Sequence, residues 1–356
     1  MNRRRGTGTG RNPVRGGLLC ASLLLLGLLG GCARPDSKPA SSTPPTEPSA
    51  PQEAAVAPPK PDQPAAPTPD IPCDMPPAFT ATDATQPGGV PVLGDKFALL
   101  FTAPLNVNTD GTSRSYSLDD PEGEAFALNR LCHAMEGACR GLDEPARAAR
   151  YAKLREARER DWAESLVRDT SLSAAVIARA PDGRICPEVP VIGQAFLISA
   201  IALADPRIAG VCGLDSYADA LAVPMLFLQG GENGFRQRGV RVGDAVVAWR
   251  DGMERPVLGI IGDTAPANRI AEGSIALNGA LLGRESEPAN YRETIRRYAV
   301  PRATVLIFPA TRDAGRPRIT AERVEDAARA ALLAWDGGSE EKATARLRAC
   351  AARAAR

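Results

Sequence analysis

The spacing of apolar residues changes along the chain. Leu18–Leu29 is one short, nearly unbroken apolar run, followed by a long stretch without apolar periodicity. Strand-length runs then begin. Lys96–Thr102 (KFALLFT) leads to Asn106–Gly111, where Asp110-Gly111 is a turn signal because glycine accepts positive φ. Residues 90–120 therefore predict β structure. Residues 121–170 predict helix: in Glu144–Leu166, Ala146, Ala149, Leu154, Ala157 and Trp162 recur at helical spacing among Arg and Glu. Pairs such as Glu156–Arg160 at i,i+4 support a solvated helix covering one end of a sheet or barrel.

From residue 174 onward strands return at Ala174–Ala178, Val191–Ile201, Ala222–Leu228, Asp244–Trp249, Pro256–Gly262 and Ala303–Pro309. Their irregular spacing, without strand–helix alternation, argues against a doubly wound parallel sheet. Within this region Ala271–Leu282 predicts one helix, stopped by Gly283, and Ala321–Trp335 with Glu340–Ala354 predicts a final helix pair. The fold class expected is mainly β: a small six-stranded, double-psi-like barrel with a helical insertion at 121–170 and C-terminal helices at 321–356.

The first 31 residues change the picture of where this fold works. Five Arg and no acid precede Leu18–Leu29, which has signal-peptide length and is short for a membrane span. Leu29-Gly30-Gly31-Cys32 resembles a bacterial lipobox, which implies a lipidated Cys32 and a membrane partner held through that lipid. By the same resemblance Ala33 after the cysteine implies the outer membrane of a bacterial envelope, facing the periplasm or the surface; an ordinary signal peptide with an incidental cysteine is the alternative. Residues 32–78 are rich in Pro and Ala, with 15 of the 32 prolines between Ala33 and Ala78, and read as an extended tether. The globular part is then expected at 79–320. Six cysteines remain after Cys20 and Cys32, consistent with up to three disulfides in an exported protein. Fifteen pairings are possible; Cys132–Cys139 and Cys186–Cys212 are the two expected.

Charge and composition narrow the chemistry. Outside the first 31 residues there are 38 basic and 42 acidic residues, a poor balance for nucleic-acid binding. One His, His133, disfavours a Ser-His-Asp or Cys-His triad and excludes a multi-His metal site. No CxxC pair and no Asp-rich calcium loop is present, so neither metal nor cofactor is expected. Catalysis would rest on carboxylates. Asp263 follows Gly262 at a predicted strand end, and Glu272 falls in the first turn of the predicted helix, where small residues allow close packing. Two carboxylates converging on one cleft suit glycosidic bond cleavage, one protonating the leaving oxygen while the other activates water. Each also has an ordinary reading, as a turn hydrogen-bonder and as a helix-dipole complement.

Val242–Gly283 resembles the signature of glycoside hydrolase family 75, the fungal-type chitosanases. The matching residues are Gly243-Asp244-Ala245-Val246-Val247, Ile261-Gly262-Asp263-Thr264-Ala265-Pro266 and Ile270-Ala271-Glu272-Gly273-Ser274-Ile275-Ala276-Leu277. Flanking stretches at 105–111, 193–199, 214–228 and 305–309 are similar in order. The resemblance implies an endo-hydrolase acting on an amino-sugar polysaccharide; a monomer is expected. It places the catalytic pair on Asp263 and Glu272 and implies inverting cleavage of β-1,4-linked glucosamine. Asp215, Asp244 and Thr264 are the candidate substrate contacts, though both acids also fit loop and turn roles. The chain departs from the family pattern at Ala265 and Ala271, where the family has Gly, at Met225, where it has Tyr, and at Asn108, where it has an acid. Alanine at 265 or 271 would strain a backbone that needs positive φ. De-N-acetylated peptidoglycan is an alternative polymer, and a non-catalytic envelope lipoprotein binding glycan or protein is an alternative role.

Overall fold

A computed structural model describes residues 72–137 and 139–354. The expected leader with Cys20, the expected lipidation site Cys32 and the expected tether up to residue 71 lie outside them. The described chain forms strands β1 (Pro77–Asp83), β2 (Gln86–Gly94), β3 (Leu99–Val107), β4 (Val189–Val191), β5 (Gln194–Phe196), β6 (Met225–Gln229), β7 (Ala245–Trp249), β8 (Val257–Ala265), β9 (Ala271–Gly273) and β10 (Val300–Phe308). Its helices are α1 (Glu144–Glu159), α2 (Glu164–Asp169), α3 (Gly234–Gln237), α4 (Ile275–Leu282), α5 (Tyr291–Arg297), α6 (Ala321–Asp336) and α7 (Glu340–Ala354).

Six strands close a mixed barrel in the order β3-β10-β7-β8-β6-β9, with β9 pairing back onto β3. The pairs β6–β8 and β3–β9 are parallel and the others antiparallel. The hairpin β1–β2 extends the sheet from the edge of β3, and β4–β5 is a separate small hairpin. The continuous apolar runs in the sequence are strands buried on both faces. In β10, Val305 and Ile307 join the barrel interior with Phe101, Leu226 and Ile261, whereas Leu306 and Phe308 join an outer layer. In β7, Val246 and Ala248 divide in the same way from Ala245, Val247 and Trp249.

That outer layer is covered by α6 and α7 through Ala328, Leu332, Trp335 and Leu347. The C-terminal helices, expected as an extension at 321–356, are therefore part of the same packed body. The N-terminal boundary also moves, because Cys73 is disulfide-bonded to Cys350 and Met75 is fully buried ahead of β1. The two expected disulfides, Cys132–Cys139 and Cys186–Cys212, are present as well. Three disulfides fit an oxidising compartment outside the cytoplasm. Among the described residues no helix is long and apolar enough to cross a membrane.

Several predicted elements differ. Ala174–Ala178 forms no strand, only an isolated bridge between Ile177 and Ser199, and Val191–Ile201 is cut to the short hairpin β4–β5. The long helix expected to Leu166 stops at Glu159. Asp161 and Trp162 take positive φ (51° and 55°), which turns Trp162 into a buried cluster with Tyr116, Leu131, Tyr151 and Leu154. The described residues of 121–143 contain only a 3-10 turn, Leu131–Ala134, rather than extended helix. The predicted helix Ala271–Leu282 splits. Its first three residues are β9, and α4 begins only after Ser274, whose hydroxyl accepts the Leu277 N–H at 3.0 Å as N-cap.

Candidate functional site

That split moves Glu272 from a helix onto the barrel wall. Phe227 of β6 is the register partner of both Asp263 in β8 and Glu272 in β9. Residues opposed across neighbouring strands share a face, so Asp263, Phe227 and Glu272 form one row, continued by Asn106 of β3. Leu226 and Leu228 on either side of Phe227 point into the barrel, so the row faces outward. Asp263 and Glu272 lie two strand spacings apart, about 10 Å between backbones.

A bulge sets the direction of Asp263. Register runs from Leu226–Ile261 to Phe227–Asp263, leaving Gly262 as the extra residue. Without it, alternation would send Asp263 into the interior. A Cβ on Gly262 would approach the Met225 sulfur to 2.5 Å, so glycine is required by close packing rather than by a turn. Asp263 is also inside β8, not at its end.

A third carboxylate joins the pair. Asp110 follows β3, and its backbone N–H donates to Asn108 Oδ1 at 2.8 Å while Asn108 Nδ2 donates to Glu272 Oε2 at 2.9 Å. The Tyr116 hydroxyl and Asn129 Nδ2 (3.1 Å) donate to Asp110 Oδ1. All three carboxylates are partly open to solvent yet deeply surrounded by protein, as groups in a concave site are. Burial raises the pKa of Asp263, opposed by N–H donors from Thr264 (2.7 Å) and Ala202 (3.1 Å). Burial likewise raises Glu272, opposed by the Asn108 amide and reinforced by the charge of Asp110. Asp110 is raised by burial too, with the charge of Asp263 adding to it against the Tyr116 and Asn129 donors. A helix dipole plays no part at Glu272. The sequence flagged Asn108 as a departure and Asp110 as a turn residue within the similar flank at 105–111; both belong here.

Other candidates fall elsewhere. Asp244 is fully buried and accepts the N–H groups of Arg241 (2.8 Å) and Arg312 (2.9 Å), so it joins two loops and contacts no cleft. Asp215 is exposed in a 3-10 turn, Leu214–Ser216, with no bond to the carboxylates. Thr264 is exposed beside Asp263 and stays at the site. Ala265 and Ala271 lie in strands without positive φ, so neither is strained. Met225 is fully buried, and its position offers no stacking surface.

A cleft of about 730 Å³ opens beside this site, lined by Glu122, Arg130, His133, Arg140, Arg147 and Pro266 among others. Asp263 and Glu272 are not in its lining. It is linked to them through His133 Nδ1, 2.6 Å from Asn129 Oδ1, and through Pro266, three residues beyond Asp263. Partial enclosure and the nearby Arg130 charge hold the His133 pKa below its ordinary value. Among the described residues no group of three or more His, Cys, Asp or Glu side chains is placed to hold a metal ion. A scan against protein-family models finds no match, and a search of curated proteins finds none either.

Proposed function

We propose that this protein is an endo-glycoside hydrolase that cleaves β-1,4 linkages in a glucosamine-rich polysaccharide, held at the bacterial outer membrane by a lipid on Cys32. The observation that carries the reading is the outward row in which Asp263 and Glu272 flank Phe227 in register. Two elevated carboxyls at this spacing can divide the work. Glu272 accepts a single side-chain bond and is reinforced toward its neutral form by Asp110, which suits the proton donor to the leaving oxygen. Asp263 accepts two backbone N–H groups that favour its charged form, which suits the base that activates water. Backbones about 10 Å apart leave room for that water, as inverting cleavage needs at roughly 6.5–9.5 Å between carboxyls. The family resemblance of Val242–Gly283 supports the same roles.

A non-catalytic glycan-binding role is the second reading, favoured because neither carboxylate lines the 730 Å³ cleft beside them. Reducing ends released from chitosan and from de-N-acetylated peptidoglycan decide between them. Hydrolysis predicts product from wild type and background from Glu272→Gln and Asp263→Asn. Equal background product from all three proteins overturns it.

A further inference from the structure

The cleft beside the carboxylates has an unusual charge for an enzyme of cationic polymers. Three arginines, Arg130, Arg140 and Arg147, face one acid, Glu122. Outside its first 31 residues the chain has more acid than base, so the basic lining of this cleft runs against the overall balance. Glu122 is shared: Arg147 Nε lies at 3.1 Å and Arg130 Nε at 3.6 Å, and the Tyr151 hydroxyl donates at 3.1 Å. One carboxylate is already bound between two guanidinium groups. Arg140 is exposed and has no acidic partner among the described residues. The Cys132–Cys139 disulfide closes the loop that leads into Arg140 and lines the same cleft.

We propose that this cleft is a carboxylate-binding subsite, so that the polymer cleaved here carries carboxylate groups on its amino-sugar backbone. The choice of polymer rests on the hydrolase reading above; the carboxylate preference rests on the arginines. Planar guanidinium forks match carboxylate oxygens, while a chain bearing only ammonium groups meets like charge along this wall. The path from His133 through Asn129 to Asp110 puts the subsite one side chain from the carboxylate cluster, where a substituent on an adjoining sugar would fall. Peptidoglycan offers such groups from two sources, the stem peptide and, where that peptide has been removed, the lactyl ether on the sugar.

The test measures binding, not turnover, with the full chain carrying Glu272→Gln. Sedimentation with purified peptidoglycan sacculi, with amidase-stripped sacculi and with colloidal chitosan gives three affinities. The proposal predicts at least tenfold tighter binding to intact sacculi than to chitosan. It also predicts at least fivefold loss on adding Arg140→Ala, without change in melting temperature, and partial recovery with Arg140→Lys. Retained binding after stripping assigns the lactyl carboxylate, and its loss assigns the peptide; both support a carboxylate site. Chitosan binding as tight as sacculus binding, or parental affinity in both Arg140 variants, overturns it. Because no hydrolysis is read, a failed hydrolase assay leaves this result to stand by itself.

Discussion

Gly273, next to Glu272, is a position where one methyl group tests how the site is held. A Cβ there would lie 1.9 Å from Asn278 Oδ1 and 2.8 Å from Asn278 Cγ. Asn278 cannot swing away at low cost. It is fully buried in α4, and its Nδ2 donates to the carbonyls of Tyr298 at 2.8 Å and of Leu105 and Asn106 at 3.3 Å. Turning the amide over would put its larger NH₂ group against the same methyl. Gly273→Ala therefore combines overpacking, about 1–3 kcal/mol, with loss of at least one buried hydrogen bond, about 1–3 kcal/mol. The sum is about 2–6 kcal/mol, which lowers the melting temperature by on the order of 10 °C for a body of this size. Circular dichroism melts of Gly273→Ala, Asn278→Ala and the double variant check the cause. If the collision is with Asn278, the double variant melts close to Asn278→Ala alone, a non-additivity that neighbouring residues show. A Gly273→Ala protein melting within 2 °C of the parent, or simple additivity in the double variant, refutes the reasoning.

Removing the Cys73–Cys350 disulfide with paired Ser substitutions should cost about 2–5 kcal/mol, because it closes a loop of 277 residues in sequence separation; chemical denaturation reads this directly. Burial alone would raise the pKa of Asp120, but N–H donors from Phe126, Ala127, Glu124 and Ala125 hold it below its ordinary value. A depressed folded-state pKa gives stability that is present above the unfolded pKa and lost as pH falls through the folded one. Asp120→Asn should therefore cost about 1.5–3 kcal/mol at neutral pH, with the difference shrinking in acid melts. Asn108→Ala removes the donor that favours the charged Glu272, so the basic limb of the kcat/KM–pH profile should move upward; an unchanged limb counts against Glu272 as the proton donor.

The barrel was legible because its strands leave a simple record. Runs such as Ala245–Trp249 and Ala303–Phe308 are apolar at nearly every position, since the interior covers one face and α6 and α7 the other. Gly283 at φ 66° also ends α4 where the sequence places a stop. Local signals failed where long-range pairing decides. Ala271–Gly273 has small residues that fit helix, yet Phe227 and Asn106 recruit it as a strand, and this changes the environment of Glu272. The bulge at Gly262 is likewise invisible without Met225 beneath it. Asp110 looked like a turn residue because its partners Tyr116 and Asn129 sit in a segment with almost no regular structure. Asp244 illustrates the reverse, a motif acid whose work is to bind loop N–H groups.

The central claim is that Asp263 and Glu272, in register across Phe227, cleave a glycosidic bond with water between them. Proton NMR of fresh digests of glucosamine oligomers and of amino-sugar strands from peptidoglycan follows the first anomer formed. The account predicts α-anomer appearing first from a β-linked chain, and none with Glu272→Gln. A first product in the β form, or wild-type cleavage of neither substrate, contradicts it.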